Sequence, residues 1–125
     1  MSFFKIKRDL ADKLFSDFIR KRDGKCVRCG KGGTLQCSHY WGRRMESVRF
    51  DPLNAEALCF TCHERWEHQK EIWIDNDMVM GEYAKYKVYK LGQRMYDGLK
   101  IKAHQRVKKD RAMELIKIKA LLKTL

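Results

Sequence analysis

The spacing of hydrophobic positions changes along the chain, and each change marks a different predicted element. Leu10, Leu14, Phe18 and Ile19 recur at helical intervals, with Lys13, Asp17, Arg20 and Lys21 filling the other face. This predicts an amphipathic helix over residues 8–22, closed by the turn pair Asp23-Gly24. Thr34 to Tyr40 alternates and carries β-branched and aromatic residues, so it reads as a short strand. Ser47 to Phe50 reads as a second strand stopped by Asp51-Pro52, and a helix is expected to begin near Thr61 and run on to Trp73. From Met78 onward the pattern is helical, with Gly81, Gly92 and Gly98 as boundaries. The last helix takes Asp110 as N-cap and Met113, Ile116, Ala120 and Leu121 as apolar stripe. Strand, connection, strand and helix form a ββα unit at the centre, with helices before and after, which makes the fold class α+β. There is no internal repeat and no disordered linker. Residues 1–125 are therefore read as a single domain, with a core over about 24–75 and a helical region over about 76–125.

Cysteine placement adds what the periodicity does not show. Cys26-Val-Arg-Cys29 and Cys59-Phe-Thr-Cys62 are two CxxC units separated by 29 residues. Each short turn presents two sulfurs to one ion, so the pair can close a tetrahedral structural zinc site; buried free thiols are the plainer alternative. A metal there would compensate for the small core that a glycine-rich stretch can bury. Cys37 is the odd cysteine, read as a small core residue on the same side of its strand as His39.

Charge narrows the partners. The chain carries a formal net charge of +12 with a pI near 9.7, and residues 98–125 hold nine Lys or Arg against two acidic residues. Such an excess favours polyanions, and DNA, duplex or branched, is the expected partner. No run of about 18 apolar residues exists, so no membrane span is expected. Met1-Ser-Phe-Phe-Lys lacks the apolar core of a signal peptide. With metal-like cysteine spacing, a reducing, cytoplasmic compartment is expected.

Between and beside the cysteines stand His39 near a strand end, Asn54 in a loop and His63 at a helix start. A neutral imidazole at 39 can serve as general base. His63 can bind a divalent ion or stand in as a zinc ligand, and Asn54 can tie its loop through donor and acceptor atoms. Arg43, Arg44 and Arg49 flank this centre and are candidate phosphate clamps, with a solvated turn as the alternative. Trp41, Trp66 and Trp73 read as core or partly buried residues, Trp41 being the best candidate for base stacking. His104 and the C-terminal lysines read as solvated, the lysines also as a DNA-tracking face.

The order Cys-x2-Cys, His39, Asn54, Cys-x2-Cys-His63 resembles zinc-containing HNH (ββα-metal, His-Me finger) endonucleases. His39-Tyr-Trp-Gly-Arg, Val48-Arg-Phe-Asp51 and Cys59-x2-Cys62 are most similar to phage recombination proteins of the NinG/Rap type, over roughly residues 10–75. The resemblance implies a metal-dependent DNA endonuclease of low sequence specificity, in phage DNA recombination or packaging within an infected bacterial host. It implies Cys26, Cys29, Cys59 and Cys62 as structural zinc ligands, His39 as general base, Asn54 as loop brace and His63 as ligand of a catalytic Mg²⁺ or Mn²⁺. Ser38 stands where many relatives carry a metal-binding aspartate, so a second ligand must come from elsewhere. Glu67, four residues after His63 on one helix face, is the first choice, ahead of Glu46 and His68. An imidazole-rich site also admits Ni²⁺ or Zn²⁺. A monomer would nick and a homodimer could cut both strands. The rival reading is a non-catalytic zinc module that binds nucleic acid as a recombination accessory protein.

Overall fold

A computed structural model describes residues 8–125; the Met1–Lys5 stretch considered above as a leader lies outside the described residues. The described residues form a mixed α+β fold of five helices and two two-stranded antiparallel sheets. No helix among them is long and apolar enough to cross a membrane.

Helix α1 spans Leu10–Asp23. Asp9 caps it reciprocally: its carboxylate accepts from the Asp12 N–H (3.0 Å), and the Asp12 carboxylate accepts from the Asp9 N–H (2.9 Å). Gly24 ends the helix at φ 72, a left-handed conformation that favours glycine. The buried face is Ala11, Phe15, Phe18 and Ile19, so the apolar stripe is rotated from the expected one and Leu10 is 56% exposed. The rotation brings Asp12 inside, where it pairs with Arg49.

Strand β1, Gln36–His39, pairs with β2, Ala55–Leu58, in the register Gln36↔Leu58, Ser38↔Glu56 and His39↔Ala55. The second strand is thus not Ser47–Phe50, which instead coils into a 3₁₀ turn at Glu46–Val48, followed by another at Pro52–Asn54. On one face of the sheet, Ala55 and Ala57 pack against α1 and Ile118. On the other, Leu58 joins a cluster with Trp66, Tyr83 and Tyr96.

Helix α2, Phe60–Glu67, is shorter than expected. The Gln69 carbonyl accepts from the N–H groups of Tyr83 (2.7 Å) and Ala84 (3.1 Å), and the Lys70 carbonyl accepts from Gly81 (2.8 Å). These long-range bonds take the chain out of the helix and into a hairpin, β3 (Glu71–Ile74) with β4 (Asp77–Met80), where helix was expected. The approach is so close that a Cβ at Gly81 would lie 2.4 Å from the Gln69 carbonyl carbon. Trp73 lies on this hairpin and is 58% exposed, where a core or partly buried place was expected.

Helices α3 (Glu82–Leu91) and α4 (Gln93–Ala103) meet at Gly92, at φ 82, whereas Gly98 lies inside α4 rather than at a boundary. Helix α5 (Arg111–Leu122) is capped by Asp110, whose carboxylate accepts from the Ala112 N–H at 2.9 Å. It packs on α1 through Ile118, with Leu115, Leu121 and Leu122 beside it. Met113 and Ile116, placed on its stripe by the sequence, are 49% and 63% exposed.

Strand β2 is locked to α3 by a buried ion pair. Lys87 lies 2.8 Å from Glu56, and both side chains are fully buried. Tyr83 donates to the other Glu56 oxygen at 2.6 Å. Removing Lys87 leaves the buried Glu56 with only the partly exposed Lys90, 3.2 Å away, as counter-charge, so Lys87→Met is expected to cost up to about 3–5 kcal/mol in urea unfolding. The double variant Glu56→Leu/Lys87→Met should recover much of that loss, because no unpaired charge is left inside.

Candidate active site and metal centre

The two CxxC turns converge. Cys26, Cys29, Cys59 and Cys62 place their sulfurs within 4.8 Å of one another. The Cys29 and Cys59 sulfurs are 3.8 Å apart. A tetrahedral zinc with metal–sulfur bonds of about 2.3 Å spaces its sulfurs about 3.8 Å apart, so the donor set fits that ion. The first turn is closed by the Gly30 N–H to the Cys26 carbonyl (2.8 Å) and tied to β2 by the Val27 N–H to the Ala57 carbonyl (3.0 Å). The second turn opens α2, with Cys59 as its N-cap residue.

Crowded thiols resist ionising together. Burial, with hydrogen bonding from the other three sulfurs, pushes Cys62 up to about 12. At Cys26 burial also opposes ionisation, but N–H donors from Cys29, Cys59 and Arg28 outweigh it and bring the thiol down to about 6. A divalent cation supplies the charge that makes four thiolates compatible. Arg28 reaches the Cys62 sulfur at 3.5 Å and also pairs with Glu82, which accepts from the Trp66 indole N–H.

On the other side of β1 lies an open cleft of about 600 Å³, whose walls include His39, His63, Glu67 and Lys70. His39 Nε2 is 2.9 Å from the Arg49 carbonyl. A carbonyl only accepts, so Nε2 carries the proton and Nδ1 is left as the lone-pair nitrogen of a neutral ring. That carbonyl is held in place from α1: Arg49 is buried and forks onto Asp12, with Nε to Oδ1 at 2.9 Å.

Asn54 fastens the same loop. It is fully buried, accepts from the Trp41 N–H (2.9 Å) and donates to the carbonyls of Trp41 (2.8 Å) and Val48 (3.2 Å).

Burial pulls His39 down to about 4, with the Arg49 carbonyl only partly opposing it. The unfolded imidazole titrates near 6.5, so between these values the unfolded chain binds more protons than the folded one. Its contribution to stability is complete above about pH 6.5 and is lost as pH falls toward about 4. Thermal melts at about pH 7 and about pH 5 should separate, and His39→Gln should narrow the gap. His63, also lowered by burial, acts with the same sign.

His63 Nδ1 lies 2.6 Å from Gln36 Oε1, an acceptor, which leaves Nε2 as the lone-pair nitrogen of the neutral ring. Glu67 lies one helical turn further on, 53% exposed at its side chain. Among the described residues, the four cysteines alone bring three or more metal-type donors together. His63 and Glu67 stand one helical turn apart on α2 and both line the cleft.

Ser38 faces away from this cleft, 3.2 Å from the Tyr83 hydroxyl, so its position cannot supply a ligand there. Glu46 is engaged by Arg49 and Arg111, and His68 sits exposed at the end of α2. Cys37 lines the cleft beside His39, and burial pushes its thiol up to about 12.

The three arginines separate. Arg43 lines the cleft, 3.8 Å from Asp12. Arg44 lines a second groove of about 600 Å³ with Arg106, Lys108 and Arg111. Arg49 is a buried brace rather than a phosphate clamp. His104, expected to be solvated, is exposed but lies edge-on to Trp41 at 5.4 Å. Trp41 also contacts Tyr40 and Tyr96, which places it at a packed corner.

Arg8, Arg20 and Lys70 also line the cleft and were not singled out by sequence reasoning. Only the folded chain brings residues 8, 20 and 70 to one wall; along the sequence they are ordinary charges. No family model matches this chain, and comparison with curated proteins and with solved structures finds no significant match.

Proposed function

We propose that this chain is a metal-dependent DNA endonuclease of the HNH type, with β1, β2 and α2 as its ββα-metal core and the four cysteines as a structural zinc site. The observation that carries the reading is His39. Its tautomer is set by the Arg49 carbonyl, so a neutral Nδ1 base stands in a cleft walled by Arg8, Arg20, Arg43 and Lys70. In the proposed reaction, water adds its oxygen to the phosphorus of a phosphodiester and its proton passes to His39 Nδ1. The bond from phosphorus to the departing 3′-oxygen breaks, and that oxygen leaves as a hydroxyl after taking a proton from solvent. A divalent ion at His63 and Glu67 supplies positive charge against the phosphate when bound. The net charge of +12 favours the polyanion and draws it to the surface. The sequence carries no evident base-reading motif, so cleavage with little sequence preference is the expected behaviour. The setting of phage recombination or packaging rests on the resemblance alone.

One observation favours the rival reading, a zinc-stabilised nucleic-acid-binding accessory protein: among the described residues, only the four cysteines bring three or more metal-type donors together. Incubating supercoiled plasmid with Mg²⁺, Mn²⁺, Ni²⁺ or EDTA separates the two. Ion-dependent nicking or linearisation supports the nuclease. Undiminished DNA binding in EDTA, with no cutting of plasmid or of a branched junction under any ion, supports the accessory protein.

A further inference from the structure

We propose that Lys70 is a catalytic group of this cleft, its ammonium contacting a non-bridging oxygen of the scissile phosphodiester; the assignment rests on the nuclease reading above. Lys70 Nζ lies 3.2 Å from the His39 carbonyl and 3.5 Å from Glu67 Oε1, so it stands between the residue of the general base and the carboxylate of the proposed ion site.

It is also held there. Its side chain is 20% exposed and lies 6.0 Å from the centre of the Tyr40 ring. Its backbone is pinned by the Gly81 N–H, one residue after the Gln69 carbonyl that receives Tyr83 and Ala84. A donor fixed in advance costs no reorganisation when charge develops on phosphorus-bound oxygens, which is where electrostatic catalysis gains most.

An ammonium has three donors, and two directions are occupied here by the His39 carbonyl and Glu67, leaving one for a ligand. The link to half-exposed Glu67 is long, so it neutralises little of the charge. Two other cations of the cleft are engaged elsewhere. Arg43 leans on Asp12 at 3.8 Å, and Arg20 pairs with Asp17 and the Ser16 hydroxyl. With two protein donors for the divalent ion, a fixed cation also supplies charge that a fuller ligand set would have recruited through metal.

The test uses the full zinc-loaded chain, a duplex oligonucleotide and single-turnover cleavage with Mn²⁺. Lys70→Met should lose about 100-fold in rate, with zinc content and melting midpoint held, and Lys70→Arg should regain most of it. Sulfur in place of the contacted non-bridging oxygen should slow the wild type while adding little to Lys70→Met. A purely structural role would instead make the two effects multiply. Lys70→Met cutting within about twofold of wild type, or multiplying effects, overturns the assignment while the nuclease reading stands. A wild type that cuts no substrate under any ion overturns both.

Discussion

His39→Ala is expected to lower plasmid cleavage by about 10²–10⁴-fold, the range that a positioned general base contributes. Zinc content should be unchanged, because His39 and the four cysteines occupy separate sites. Some stability will be lost with the ring, which packs 5.5 Å from Phe15, so circular dichroism must accompany the assay. The size of the effect follows from the proposed reaction, in which His39 Nδ1 accepts the proton of the attacking water. Disturbing the brace should act more mildly in the same direction. Arg49 and Asp12 hold the carbonyl that sets the tautomer and do not themselves take the proton. Full activity in folded His39→Ala would remove the residue from its role and return attention to the accessory-protein reading.

Zinc removal should have the largest effect on stability. A structural zinc contributes about 10–16 kcal/mol in apparent terms, which equals or exceeds the whole stability of a typical domain at about 5–15 kcal/mol. Cys26 and Cys62 are buried in the same cluster as Leu58, Trp66 and Tyr83, so losing the centre opens the core on that side of the sheet. It also frees the knuckle from β2 and the start of α2, displacing His63. A strong chelator, or Cys62→Ala, is expected to abolish the cooperative melt, and zinc added back should restore it in the chelated wild type alone. A cooperative melt that persists with zinc demonstrably absent would make the four cysteines ordinary buried thiols.

Legibility varied with how local each signal was. Helix α1, the Asp110 cap and strand β1 were visible because caps and short periodic patterns act within a few residues. Strand β2 was not. Ala55-Glu56-Ala57-Leu58 has neither β-branched residues nor alternating polarity, because it is buried on both faces and its glutamate is satisfied by Lys87, 31 residues away. The Glu71–Met80 hairpin was hidden for a related reason, since the backbone bonds that end α2 come from residues 81–84. The stripes of α1 and α5 were misjudged because Asp12 and Glu114 are buried there in place of Leu10 and Met113. A buried carboxylate looks like a surface residue until its partner is known.

The candidate site divides in the same way. The chain alone determined an α+β protein with four cysteines spaced to hold one metal ion, since a CxxC turn sets two sulfurs by its own backbone. It also marked His39, Asn54 and His63 as the residues with useful chemistry. Only the tertiary structure decided how those residues are held. It set the proton on His39 through a carbonyl held from α1, turned Ser38 away from the cleft, buried Arg49 as a brace and brought Lys70 to the wall. Each of these depends on a hydrogen bond or ion pair between elements distant in sequence, and a side chain's donors, charge and exposure are settled by such partners rather than by its neighbours along the chain.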